Sequence, residues 1–162
     1  RQTQEDTKMT RISANRIFGP VLAGAATALL AAPAFAHHSF AMYDQSQTKT
    51  FTGKLTRFIP GANHAQIYFD VVDDQGKPRT GDDGKPLVWG IEMGPAAVIA
   101  KQWVTVKDFP TGTVVTVTLN PLRDGRPFGA IASGAVVIKC GAAIPKGGCN
   151  KDTGKVFLES RN

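Results

Sequence analysis

Cysteine, tryptophan and tyrosine are scarce in this sequence, with two of each among 162 residues. The chain contains no phosphate-binding loop, dinucleotide fingerprint or haem-attachment motif, and none of its serines has a context typical of a catalytic triad. These absences argue against nucleotide-dependent, haem-dependent and serine-hydrolase activities. Basic residues exceed acidic residues by six, but they are interspersed with acids, so the charge does not predict nucleic-acid binding.

Only one long apolar run is present, Pro20–Ala36, and it carries no charge. Its 17 residues are fewer than the roughly 20 that a transmembrane helix needs. Arg11 and Arg16 precede the run, and the small-residue junction Ala34-Phe35-Ala36 ends it, as in a secretory signal peptide. We therefore expect residues 1–36 to be an upstream extension and a signal peptide that starts at Met9. Cleavage would leave a periplasmic or extracellular protein without a membrane span.

The mature chain would have 126 residues and a net charge of +4, since removal of residues 1–36 takes away four basic and two acidic residues. Both cysteines, Cys140 and Cys149, lie in this part, with eight residues between them. In an oxidising compartment this pair predicts one disulfide that closes a short loop. A thiolate metal site is the alternative, although the pair lacks C-x-x-C spacing. We expect residues 139–162 to form this loop and a tail.

Alternation of apolar and polar residues predicts that most of the mature chain forms β-strands, most clearly at 65–72. A single short helix is predicted at 95–103, where Pro95 occupies a first-turn position and Trp103 shares the apolar face. The further predicted strands are 48–59, 87–93, 113–119 and 128–138, followed by a short last strand at 155–159.

Three strands, a helix and two strands follow one another, which is the order of the five-stranded OB-fold barrel. We therefore predict an all-β domain with one short helix, an OB-like barrel at residues 37–138; a small β-sandwich is the alternative. Gly53 lies within the first strand and predicts a bulge or a bend there. The polar segment 73–86 predicts a hairpin loop, because its acidic residues lack the spacing of a calcium loop.

The chain has three histidines, His37, His38 and His64, and the first two follow the predicted cleavage site. Cleavage after Ala36 would make His37 the N-terminal residue, whose α-amine and imidazole can chelate one metal ion. His64 begins the second predicted strand and could supply a third nitrogen, with His38 assisting. Nitrogen ligands favour Cu(II) among divalent ions, so this set predicts a copper site that resembles the histidine brace of copper proteins.

The sequence leaves the geometry of this site open. Ala32-Pro33-Ala34 is a second cleavage motif, and cleavage there would place His37 third, an arrangement that also binds Cu(II) and Ni(II). Met42 and Met93 are additional candidate ligands, whose thioether sulfurs would favour Cu(I). The competing interpretation is that the histidines lie near a flexible terminus and a turn without binding metal.

Copper binding or delivery, rather than catalysis, is the function that this pattern favours. One alternative is a non-metal binding module for a protein, glycan or peptide. Another is a copper enzyme that acts oxidatively, although the sequence indicates neither an open coordination position nor a substrate surface. A self-assembling structural protein is the fourth. Glu92 could act as a general base, but a lone glutamate on a strand is more often paired or solvated.

The segment Ala36-His37-His38-Ser39-Phe40 resembles the start of an uncharacterised family of small secreted bacterial proteins. The resemblance continues through Thr52–Leu55 and Trp103 and covers about residues 36–138. It implies export and shared histidine positions, and it implies no settled activity. This chain has Ala62-Asn63-His64 where the family usually has Asn-Pro-His, and the tail from Cys140 lies outside the pattern.

Overall fold

Strands dominate the computed structural model, which describes residues 41–132 and 135–157. One short helix, α1, spans Ala96–Ile99 and continues as a 3-10 turn over Ala100–Gln102. No helix within the described ranges is long and apolar enough to cross a membrane. The strands are β1 (Lys49–Ile59), β2 (Gln66–Val71), β3 (Val88–Glu92), β4 (Val114–Pro121), β5 (Phe128–Ile131), β6 (Val137–Gly141) and β7 (Lys155–Phe157).

Five of these strands close into a barrel. They pair in the order β1-β2-β3-β5-β4, and β4 pairs back with β1, where Lys49–Lys54 lies opposite Val114–Leu119. The β3–β5 pair is parallel, and the other pairs of the barrel are antiparallel. The predicted OB-like barrel is therefore confirmed in preference to the sandwich. β6 and β7 are two extra strands that extend the sheet from β4.

The barrel interior is filled by side chains from alternate positions of the strands. β2 shows the pattern that its sequence predicts, because it buries Ile67, Phe69 and Val71 and leaves the residues between them partly exposed. Burial of this apolar surface is the main source of folding free energy. The largest fully buried side chains of the barrel strands include Leu55, Ile67, Phe69, Ile91 and Leu119.

Of the predicted bulge or bend at Gly53, the bulge is not found there. Gly53 is paired in register with β2 on one side and with β4 on the other, and the irregularity of β1 lies between Leu55 and Arg57. A Cβ atom at Gly53 would collide with the ring of Phe69. The glycine is therefore present because the Phe69 ring packs directly on the β1 backbone.

The prediction of one continuous strand at 128–138 is wrong. β5 pairs with the end of β4 at Leu119–Pro121, whereas β6 pairs with its beginning at Val114–Val117. Between them, the Ala135 amide donates to the Ala132 carbonyl oxygen at 3.0 Å. One predicted element is therefore two strands that share β4 as a neighbour.

Trp103 departs from the predicted apolar helix face. α1 ends at Ile99, the 3-10 turn follows, and Trp103 then adopts a left-handed conformation with φ 62° and ψ 27°. This backbone conformation ends the helical geometry on which the predicted face depends. Ile99 is buried, whereas Trp103 is 70% exposed.

Cys140 and Cys149 form the predicted disulfide, with their sulfur atoms 2.16 Å apart. The bridge links β6 to the loop that leads to β7. Cys149 is buried in a small cluster with Val114, and its carbonyl oxygen accepts a hydrogen bond from the Thr116 hydroxyl at 2.7 Å. The disulfide loop is therefore fastened to β4 of the barrel.

Candidate functional site

His64 lies in the connection between β1 and β2, two residues before β2 begins. The turn is tight, because a Cβ atom at Gly61 would collide with the His64 carbonyl oxygen. The next residue, Ala65, donates its amide to the Gly94 carbonyl at 3.0 Å and accepts the Met93 amide at 2.8 Å. The backbone at His64 is therefore fixed, while its side chain is 43% exposed.

Glu92 is the partner of the His64 imidazole. It is the last residue of β3, opposite Gln66 in the β2–β3 register. Its Oε1 lies 3.3 Å from Nδ1 of His64, and its side chain is 20% exposed. A carboxylate on Nδ1 fixes the orientation of the ring and leaves Nε2 as the nitrogen available to a ligand.

Tyr43 lies near the Glu92 carboxylate. It forms an isolated bridge with Leu122, and its side chain is 2% exposed. Burial raises the pKa of Tyr43 to about 12, and the charge of Glu92 acts in the same direction. His64, Glu92 and Tyr43 therefore form a row of polar groups, which we call the His64 row.

Backbone hydrogen bonds hold the segment around Tyr43 against the end of β4. The Asp44 amide donates to the Pro121 carbonyl at 2.8 Å, and the Met42 carbonyl accepts the Arg123 amide at 2.9 Å. The chain that leads back toward the N-terminal histidines is thus attached beside the His64 row.

The buried phenol predicts a loss of stability in alkali that Tyr43→Phe should reduce. The unfolded chain releases this proton near pH 10, whereas the folded chain keeps it to about pH 12. The raised pKa therefore stabilises the fold fully below pH 10, and this contribution is lost as pH rises toward 12. From this residue alone, the free energy of unfolding should fall by about 1.4 kcal/mol per pH unit in that window.

Urea unfolding of both proteins at pH values of about 8 and 11 would measure this difference. The two proteins differ only at position 43, so the difference between their slopes isolates Tyr43. Equal slopes in wild type and Tyr43→Phe would contradict the burial of the phenol beside Glu92.

The structure brings His64 together with Glu92, and two other candidate ligands, Met42 and Met93, lie among the residues that it describes. Met93 is buried in the barrel core, and Met42 is 51% exposed. His37 and His38 lie outside the described residues. Within residues 41–132 and 135–157, no cluster of three or more His, Cys, Asp and Glu side chains is arranged to hold a metal ion.

Glu92 and Tyr43 are the members of the row that sequence reasoning did not connect to His64. Glu92 was expected to be paired or solvated, and it is indeed paired, but its partner depends on the β2–β3 register. Tyr43 is 49 positions from Glu92 in the chain. The signal in the sequence was the lone glutamate at the end of a strand, following a buried Ile91.

No curated protein and no solved structure shows a significant match to the chain. One family of proteins does match, over residues 26–131. The matched range includes the three residues of the His64 row and ends at Ile131, the last residue of β5. The five barrel strands therefore lie inside it, whereas β6, β7 and the disulfide between Cys140 and Cys149 lie outside. The match covers more than half of the chain, which therefore belongs to the family of unknown function DUF6152.

Proposed function

We propose that this protein is exported and binds one copper ion through His37 and His64, with His38 assisting. The observation that carries the proposal is the contact between Nδ1 of His64 and the Glu92 carboxylate at 3.3 Å. Histidines that bind metals commonly place one ring nitrogen on a carboxylate and the other on the metal. Here the half-exposed ring on a fixed backbone offers Nε2 to an incoming ion.

Export supplies the remaining ligands. Signal cleavage after Ala36 gives His37 a free α-amine, so that this residue contributes two nitrogens and His64 a third. Three nitrogens favour Cu(II) over the other divalent ions of the first transition row. Glu92 adds a negative charge next to the bound cation, which increases the electrostatic attraction for it.

The chain is long enough to close this site. His38 is five residues before Tyr43, and an extended chain spans at most about 3.6 Å per residue, or roughly 18 Å in total. Tyr43 lies near Glu92, which in turn contacts His64. The covalent connection therefore permits the N-terminal histidines to reach the His64 row.

Tyr43 and Glu92 act as positioning residues in this proposal. The phenol lies near the carboxylate, and the carboxylate orients the imidazole. Ordering these groups before the metal arrives reduces the entropy that binding must remove. The function is metal binding or delivery, since the row holds no group placed to act on a substrate.

Native mass spectrometry of the exported protein tests the proposal. After treatment with a chelator and addition of one equivalent of Cu(II), we expect a polypeptide that begins at His37 and retains one copper. A variant with one extra alanine before His37 is the matched control, because it keeps every side chain but moves the amine out of chelating position. That variant should retain less copper. Absence of retained copper from the exported protein would contradict the proposal.

A further inference from the structure

A second candidate site lies apart from the His64 row, where the end of the 3-10 turn meets the β6–β7 hairpin. It is an open groove of about 300 Å³, near the lower end of the size range for small-molecule sites. Four of its residues lie beyond the range that matches the family. The groove is lined by Trp103, Asp108, Lys139, Gly141, Lys155 and Phe157.

Trp103 supplies one wall of the groove, and its conformation is unusual. It is the only residue other than glycine with a positive φ in the described part of the chain. Glycine is the usual residue where a helix ends in this left-handed conformation. Its 70% exposure shows that the strain is not offset by burial of the indole. Strained positions of this kind often mark binding sites.

Phe157 supplies a buried floor. Its ring packs edge-on against Phe109, with the ring centroids 5.1 Å apart and an interplanar angle of 73°. Phe109 is fully buried in the barrel core. The apolar part of the groove is therefore rigid, because its floor is continuous with the core.

Two ammonium groups give the groove its charge. Nζ of Lys139 lies 5.2 Å from the Phe109 ring centroid and donates to the Asp108 carbonyl oxygen, and Nζ of Lys155 lies 5.0 Å from the Phe157 ring centroid. The Asp108 carboxylate accepts the Thr105 hydroxyl at 2.5 Å. Neither lysine forms an ion pair with a carboxylate among the described residues, so the groove has a net positive charge.

We propose that this groove binds a planar aromatic carboxylate. The aromatic ring of the ligand stacks on the exposed Trp103 indole, and its carboxylate pairs with the ammonium groups of Lys139 and Lys155. Two of the polar side chains that line the groove are lysines, whose ammonium groups only donate hydrogen bonds. The third is the Asp108 carboxylate, which already accepts a hydrogen bond from Thr105. A neutral sugar would need more acceptors than this for its hydroxyl groups.

Calorimetric titration of the full chain with 2-naphthoate tests the proposal, with 2-naphthamide and glucuronate as comparison ligands. The amide keeps the ring and removes the charge, whereas glucuronate keeps the charge and removes the flat ring. We expect naphthoate to bind at least about tenfold more tightly than either, because the ring and the charge each add a contact. Equal binding of glucuronate, or no binding of naphthoate, would overturn the proposal.

Two variants locate the binding. Trp103→Gly should reduce naphthoate affinity at least about tenfold while its Tm stays equal to or above that of wild type, because glycine adopts this backbone conformation without strain. Lys155→Gln should also weaken binding, whereas Lys151→Gln, at an exposed lysine outside the groove, should not. Unchanged affinity in Trp103→Gly would assign naphthoate to another surface and overturn the proposal.

Discussion

His64→Ala is expected to reduce the Cu(II) affinity of the exported protein by at least about 100-fold. The variant removes an imidazole whose backbone is fixed by the barrel, and it leaves the N-terminal chelate without its third nitrogen. Changes in the groups that support a metal ligand cost about 10- to 100-fold, so loss of a ligand itself should cost at least the upper value. Competition titration against a Cu(II) chelator of known affinity measures the change.

Glu92→Gln tests the contribution of the carboxylate beside His64 while the His64 ligand itself is kept. The amide keeps the size and shape of the side chain, but the negative charge next to His64 is lost. Copper affinity should therefore fall by about tenfold, less than in His64→Ala. Asn63→Ala is the matched control, since it changes an exposed neighbour of His64 in the same turn. Equal affinity in wild type and His64→Ala would remove His64 from the site and refute the proposed function.

Phe69→Ala should lower the free energy of unfolding by about 3–5 kcal/mol, the range measured when a buried aromatic side chain is replaced by alanine. The ring is fully buried and lies against the β1 backbone at Gly53, where no side chain can fill the space that it leaves. Since small domains have about 5–15 kcal/mol of stability, the variant should be close to unfolding.

Urea denaturation measured by circular dichroism would determine the loss. Val88→Ala is the control, because Val88 is an exposed residue on the adjacent strand and its replacement should change stability by no more than about 0.5 kcal/mol. A loss below about 1 kcal/mol for Phe69→Ala would contradict the packing of this ring between the sheet and the core.

The parts of the fold that the sequence predicted are those set by local periodicity. Alternation within residues 65–72 identifies β2 and its buried face, because a strand places neighbouring side chains on opposite faces whatever its partner. The break near Ala132 was not predictable in this way, since it arises where β5 and β6 pair with different parts of β4. The exposure of Trp103 was missed because the helical repeat was assumed to continue to Trp103, whereas α1 ends at Ile99 and a 3-10 turn follows.

The candidate site likewise combines a residue that the local sequence predicts with contacts that depend on strand pairing. His64 was predicted from its residue type and from its place before a strand. Its contact with Glu92 depends on the register that sets Gln66 opposite Glu92, and a shift by one residue would move the carboxylate to the other face. The position of Tyr43 near Glu92 depends on how the segment around Tyr43 is held against the end of β4. Contacts between residues on different strands cannot be predicted from a single sequence before the pairing of the strands is known.

The pairing of β1 with β4 has a consequence for the speed of folding. Residues as far apart as Lys49 and Leu119 must meet before the barrel is closed, and contacts between such distant residues slow folding because the intervening chain loses entropy first. Until β4 arrives, one edge of β1 has no partner and can pair with another chain. Aggregation should therefore compete with refolding most strongly before β1 and β4 have paired.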